Sequence, residues 1–283
     1  MEKTLKIGLA LSGGAARGLA HIGVIETLEE NGIPIDFIAG SSMGALIGGL
    51  YAASGDIRAV KELAYDVNTR QMIKLFDIKR GESGFISGDR VEDFLSKVIA
   101  KKKIEDFKIP FTAIATDLTS GKEVNFSKGD AIKAIRSSIS IPVIFKPVEY
   151  EGMILVDGDF SNPLPTDVVK KMGANFIIGV ELTTSYFENP KLPLEKLSMA
   201  SVFYGALSAL NHKVVKPKME IADAIISPNV FKVGWMDFRA IKEAAWAGRA
   251  ATEKILPEMF RKTKIQPPEE TLVDKFIKFL SES

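Results

Sequence analysis

Two hydrophobic patterns alternate along this chain. The first is a short run that is apolar at nearly every position, as in Leu5–Leu11, Asp36–Ala39, Phe111–Thr116, Phe176–Leu182 and Ala222–Ser227. Such runs read as strands buried on both faces. Glu123–Phe126, Val143–Val148 and Met153–Val156 add three shorter strand readings. The second pattern is a longer segment with a helical repeat. It predicts helices over about 19–31, from the turn after Asp36–Ala39 to Ser54, over 55–68, and from an Asp89 cap to about 100. It continues over 129–138, from Asn162-Pro163-Leu164-Pro165 onward, over 193–216, and from an Asp237 cap to about 261. After Pro267-Pro268 comes a last short amphipathic helix, 269–280. Strands that alternate with helices predict an α/β fold in three layers, a mostly parallel sheet with helices on both faces. The expected organisation is one domain over 1–264 and a helical tail over 265–283.

The stretch Asp36–Gly55 departs from both patterns because it carries no charge from Phe37 onward and is rich in small residues. One reading is a membrane helix, with Gly40, Gly44 and Gly48 forming a G-x-x-x-G ladder. The other is a strand, a sharp turn and a small-residue helix. Gly40-Ser41-Ser42-Met43-Gly44 fits G-x-S-x-G, which places a serine on a strained strand-to-helix turn with its hydroxyl exposed at the sheet's end. Only Ser42 has glycine two residues away on both sides. Gly40 and Gly44 allow the close approach that such a bend requires.

A second glycine cluster, Ser12–Gly18, sits between the first strand and the first helix. Backbone N–H groups at such a place form an anion site. A dinucleotide fingerprint would need G-x-G-x-x-G. Ala15 stands at its middle glycine, and Asp36 opens the second strand instead of closing it. An oxyanion hole fits better. Its donors would be the N–H of Met43, the residue after the serine, and those of the Gly13–Ala15 loop.

Composition narrows the chemistry. The chain has 283 residues, 46% hydrophobic and 26% charged, with a net charge of +1. That balance supplies no global field for nucleic acid. There is no cysteine, which removes disulfides and thiolate chemistry and fits a reducing, cytoplasmic setting. The start of the chain leads straight into a strand pattern, so no signal peptide is expected. Only His21 and His212 are present. A Ser-acid-His order would leave His212 as the only base after Ser42. Otherwise the base is not histidine. On spacing alone, Asp157-Gly158 reads as an ordinary turn.

Taken in order, these segments jointly resemble the patatin-like phospholipase family. Ser12–Gly18 with Leu19-Ala20-His21-Ile22-Gly23 resembles its oxyanion segment, and Gly40–Gly44 its nucleophile elbow. Arg136–Pro147 resembles the segment before its aspartate, and Asp157-Gly158 its Asp-Gly-Gly/Ala motif. Ala15 replaces the loop's third glycine, and Asp159 replaces the small residue after Asp157-Gly158. The resemblance implies a patatin-like fold and a lipid acyl hydrolase with a Ser-Asp dyad and no cofactor or metal. Ser42 would be the nucleophile and Asp157 its base. Gly13, Gly14, Ala15 and Met43 would form the oxyanion hole, with Arg17, Gly40, Gly44 and Gly158 in support. The implied partner is a fatty acyl ester or phospholipid, with peripheral contact to a membrane. The alternative is a family member that keeps the fold as a regulator or lipid-binding protein. The apolar residues of 72–86 and of the helix around Met199–Leu210 are candidates to hold an acyl chain.

Overall fold

A computed structural model describes residues 4–66, 87–99, 103–183 and 198–269. Its centre is an eight-stranded sheet in the order β5-β6-β3-β2-β1-β7-β8, with β4 also paired to β3. The strands are β1 Ile7–Leu11, β2 Phe37–Ser41, β3 Phe111–Asp117, β4 Glu123–Phe126, β5 Val148–Tyr150, β6 Met153–Asp157, β7 Phe176–Val180 and β8 Ala224–Ile226. β3, β2, β1, β7 and β8 run parallel, while β4 and β6 run antiparallel to β3 and β5 antiparallel to β6. β1 and β7 are buried at every residue, as their unbroken apolar runs require.

The helices are α1 Ala20–Glu30, α2 Met43–Ser54, α3 Ile57–Asp66, α4 Asp89–Val98, α5 Ala131–Ser138, α6 Thr166–Met172, α7 Met199–Met219 and α8 Ile241–Thr263. One apolar core joins α1, α2, α5 and α8 to one face of the sheet. A smaller core packs α6 and α7 on the other. This is the three-layer arrangement expected. The 37–55 stretch divides into β2 and the twelve-residue α2, so it does not form a membrane span. Among the described residues no helix is long and apolar enough to cross a membrane.

Three local expectations are corrected. Val143–Phe145 is a turn, because the N–H groups of Ile144 and Phe145 both return to the Ile141 carbonyl; the strand begins only at Val148. Gly88, with a φ of 83°, caps α4, and Asp89 is its first helical residue. Asp237 caps a short 3-10 turn, Phe238–Ala240, and α8 starts after it. The helix predicted over 193–216 is α7, which runs to Met219; its first expected residues, the 69–88 segment up to 86, and the 269–280 helix beyond 269 lie outside the described residues.

Asp36 does not stand where a dinucleotide fingerprint would need its acidic residue. Its carboxylate accepts from the Ile7 N–H at 2.8 Å and pairs with Lys6 at 2.7 Å. It therefore closes the N-terminal edge of the sheet, opposite the edge at which β1 delivers the glycine loop.

α1 and α8 cross with almost no gap. A Cβ on Gly23 would stand 1.8 Å from the Ala245 carbonyl oxygen, and one on Gly248 would stand 2.0 Å from that of Ala20. Backbone cannot yield as a side-chain tip can. Gly23→Ala is expected to destabilise the fold by about 1–3 kcal/mol, read as a lower urea midpoint with an unchanged slope.

Candidate active site

The parallel strands β1 and β2 end side by side, and each delivers a small-residue turn. At the end of β2 the chain turns through Ser42, with φ 52° and ψ −125°, directly into α2. The bend holds because two neighbours lack side chains. A Cβ on Gly40 would stand 2.4 Å from the Gly44 carbonyl, and one on Gly44 would stand 2.3 Å from the Leu11 carbonyl oxygen. The Ser42 N–H donates to the Ser138 hydroxyl at 3.0 Å, which fixes the turn from behind.

β6 brings the carboxyl. Its last residue is Asp157, fully buried, and the Ser42 hydroxyl donates to Asp157 Oδ2 at 2.7 Å. The aspartate is held from three sides. Its N–H donates to the Ser140 carbonyl at 3.0 Å, its carbonyl accepts from the Thr116 hydroxyl at 2.9 Å, and its Oδ1 accepts from the Asp159 N–H at 2.9 Å. Burial pushes its pKa well above the usual carboxylate range, and the nearby Asp159 charge pushes the same way. The Asp159 N–H and the Ser42 hydroxyl hold it back only in part. A buried carboxylate of raised basicity, hydrogen-bonded to a hydroxyl, can take that proton as the oxygen attacks an electrophile.

The glycine loop stands beside this pair. Ala15, Ser42 and Met43 line one apolar pocket, closed further by Leu46, Ile141, Phe145 and Phe238. Met43 is the first residue of α2, so its N–H has no acceptor within the helix. Gly13, Gly14 and Arg17 line a second, more polar pocket with Asp159, Tyr204 and Asn211. Arg17 is buried, and its Nε donates to the Val233 carbonyl at 2.9 Å, so it ties the loop to the 227–240 segment. The Ala16 N–H does the same through the Trp235 carbonyl at 2.9 Å. Within the acyl-chain expectation, 72–86 lies outside the described residues. Tyr204 and Leu207 of α7 face the polar pocket, whereas Met199, Val202 and Leu210 are exposed. The apolar pocket is built instead from α2, the turn after α5 and the segment before α8.

The two departures in sequence have different consequences. Asp159 is buried with its carboxylate laid against Gly13, where a Cβ would come within 2.3 Å of all three carboxylate atoms. Burial pushes its pKa up to about 7, while the Ser41 hydroxyl and the Gly13 N–H that face it pull the other way. Ala15 has a φ of 48°, the left-handed region that a glycine occupies without cost.

Neither histidine joins the pair. His21 is fully buried, its Nε2 donates to the Ser12 carbonyl at 2.8 Å, and burial lowers its pKa to about 4, so it is neutral. His212 is exposed on α7. Three contributors had no role assigned from sequence. Ser138 anchors Ser42, and Thr116 anchors Asp157. Arg136 is buried and donates to the Ser140 hydroxyl at 2.5 Å and to the carbonyls of Ser87 and Lys146 at 2.9 and 3.0 Å. The signal available was the Arg136-Ser137-Ser138 run, which carries three polar residues on a helix end facing the core. Among the described residues no group of three or more His, Asp or Glu gathers to hold a metal ion.

The strain at Ala15 is testable. Ala15→Gly is expected to raise stability by about 1 kcal/mol, since an L-residue in the left-handed region costs roughly that much. Thermal unfolding would show it as a higher Tm.

Comparison with known proteins bears on the same residues. The model of the family described as patatin-like phospholipase matches residues 9–170, which include Ser42 and Asp157. An uncharacterised NTE family protein of Mycobacterium bovis is 40% identical over 180 residues, 64% of this chain and 50% of that protein. The lysophospholipase NTE1 of Candida albicans is 34% identical over 179 residues, 62% of this chain and 13% of that protein. The chain thus matches half or less of the length of these relatives. The crystal structure of VipD from Legionella pneumophila superposes with a TM-score of 0.53 at 14% identity, over 90% of this chain and 67% of that one, a likeness of fold alone. With more than half its length matched, the chain belongs to the patatin-like phospholipase family.

Proposed function

We propose that this protein is a serine hydrolase of lipid acyl esters, working through a Ser42–Asp157 dyad. The observation that carries the reading is the buried 2.7 Å hydrogen bond from the Ser42 hydroxyl to the Asp157 carboxylate. Ser42 Oγ attacks the ester carbonyl while Asp157 takes its proton, and the carbonyl electrons move onto an oxyanion. N–H groups of Gly14, Ala15 and Met43 are the donors proposed to meet that charge, with Gly13 supporting the loop from beneath Asp159. Collapse of the intermediate expels the alcohol, which leaves with the proton from Asp157, and an acyl-enzyme remains on Ser42. Water then repeats the sequence with Asp157 as its base and frees the fatty acid. The pocket formed by Leu46, Ile141, Phe145 and Phe238 is suited to the acyl chain. A relative named as a lysophospholipase supports a lipid as the substrate class.

One observation favours a second reading. An ionised Asp159 against Gly13 competes with an oxyanion for the N–H groups of that loop. A member retained for lipid binding, with little turnover, would tolerate it. A serine-reactive alkyl phosphonate separates the two readings. The hydrolase reading expects covalent labelling at Ser42, none in Ser42→Ala, and nitrophenyl acyl ester turnover that falls roughly 10³-fold or more in Ser42→Ala and Asp157→Asn. A folded protein that takes no label belongs to the second reading, and full turnover in Asp157→Asn would remove Asp157 as base.

The pH dependence has a defined sign. Asp157 must lose its proton to act, and its pKa is raised, so kcat/KM is expected to climb with pH above the ordinary carboxylate range. Removing the neighbouring charge with Asp159→Asn lowers the Asp157 pKa, so the rising limb moves to lower pH. Stability follows its own window. Asp159 keeps its proton to about pH 7 when folded, against an ordinary value of 3.8. The wild-type protein therefore loses stability as pH rises between those values, and Asp159→Asn flattens that loss. Denaturant titrations at several pH values would measure it.

A further inference from the structure

The long helix α7, Met199–Met219, is two-faced in an unusual way. One face is buried and carries Tyr204, Leu207, Ser208, Asn211 and Val215. The opposite face should be polar if it met only water. Instead Met199, Val202, Ala206, Leu210 and Val214 recur there every three or four residues, as one stripe. Met199 is 80% exposed, Val202 54%, Leu210 64% and Val214 41%. A contiguous apolar stripe of this kind marks an interaction surface.

Charge says what kind. α7 contains no aspartate or glutamate over its 21 residues. Lys213 and Lys216 are both exposed beside the lower end of the stripe, and no ion pair engages either among the described residues. Lys218, by contrast, is spent on Asp167 at 2.6 Å. Apolar side chains with lysines alongside them and no acid form the face of a helix that lies in the interface of an anionic bilayer.

The position of the helix points the same way. The last turn of α7 is tied to α6, where the Thr166 hydroxyl donates to the Lys218 carbonyl at 2.7 Å. A helix of 21 residues is about 31 Å long, so its first turns stand over the end of the sheet that carries the dyad. There the Phe203 ring packs against Phe160, the half-exposed neighbour of Asp159, and Tyr204 stacks on Trp235, which clamps the glycine loop. The buried face of the helix lines the polar pocket at Gly13 and Asp159.

We propose that the outer face of α7 docks the protein on an anionic lipid bilayer, with the stripe among the acyl chains and Lys213 and Lys216 at the headgroup phosphates. The docked helix delivers the mouth of the site to the surface where its substrate resides. The delivery rests on the hydrolase reading; the docking does not.

The test uses the full chain with Ser42→Ala, so that no vesicle is consumed. It is sedimented at low salt with vesicles of phosphatidylcholine alone or mixed with phosphatidylglycerol. The expected result is binding to the mixed vesicles that added salt weakens. Val202→Glu with Leu210→Glu should reduce it roughly tenfold or more, and Lys213→Glu with Lys216→Glu should remove the preference for anionic lipid. With Ser42 restored, both pairs should keep wild-type turnover of a soluble nitrophenyl butyrate and lose hydrolysis of vesicle phospholipid. Absence of binding, or binding that neither pair alters, overturns the docking. So does light scattering that shows a dimer which Val202→Glu with Leu210→Glu dissociates, because the stripe would then be a contact between copies. If no ester is hydrolysed while vesicles still bind, the hydrolase reading fails and the docking stands.

Discussion

A hydroxyl and a carboxylate share one proton inside the protein, and the architecture serves to bring them together. Ser42 follows β2 and Asp157 ends β6, two strands that run in opposite directions on either side of β3. Their meeting depends on the register of β3 with both neighbours, because a shift of one residue would turn a side chain to the other face. The Ser138 hydroxyl and the Ser140 carbonyl accept from the backbone N–H groups of Ser42 and Asp157, the Thr116 hydroxyl donates to the Asp157 carbonyl, and neither residue is free to turn away. Arg136 secures this arrangement from a distance. Its guanidinium reaches Ser140, Ser87 and Lys146, and the Phe145 ring lies under it. Burial disfavours its charge, and it bears that cost by satisfying backbone and hydroxyl acceptors.

The glycine-loop side of the site is built differently. The glycine loop is not self-supporting; it is clamped from the far end of the chain by the carbonyls of Val233 and Trp235. The segment between β8 and α8 therefore belongs to the site, although it lies beyond the residues matched by the family model. Asp159 adds a second buried carboxyl against the same loop. Two carboxyls this close cannot both ionise easily. The charge state of the pair links the basicity of Asp157 to the environment of Gly13.

The two faces of α7 divide the labour between these parts. Its inner face completes the polar pocket, while its outer face lies open beside it. The same helix thus walls the polar pocket and presents an exposed apolar stripe. The apolar pocket is lined by Ser42 itself and belongs to α2 and the loops around Ile141 and Phe238.

Much of this was open to reading from residues alone, for local reasons. The buried strands show as unbroken apolar runs because a parallel sheet covered on both faces tolerates nothing else. The Ser42 turn shows through Gly40 and Gly44 because sterics admit only glycine where α2 crosses the ends of β1 and β2. The parts that only tertiary structure decided involve groups far apart in sequence. Asp157-Gly158 looks like any turn until β6 pairs with β3 and buries it. Val143–Phe145 has strand-like residues but closes on Ile141, since backbone hydrogen bonds answer to whichever acceptor lies within reach. The outer stripe of α7 is indistinguishable from a core stripe by periodicity, because a helix repeats identically whichever side meets the sheet. Burial depends on what packs against a residue, and that is a property of the assembled layers and not of any segment within them.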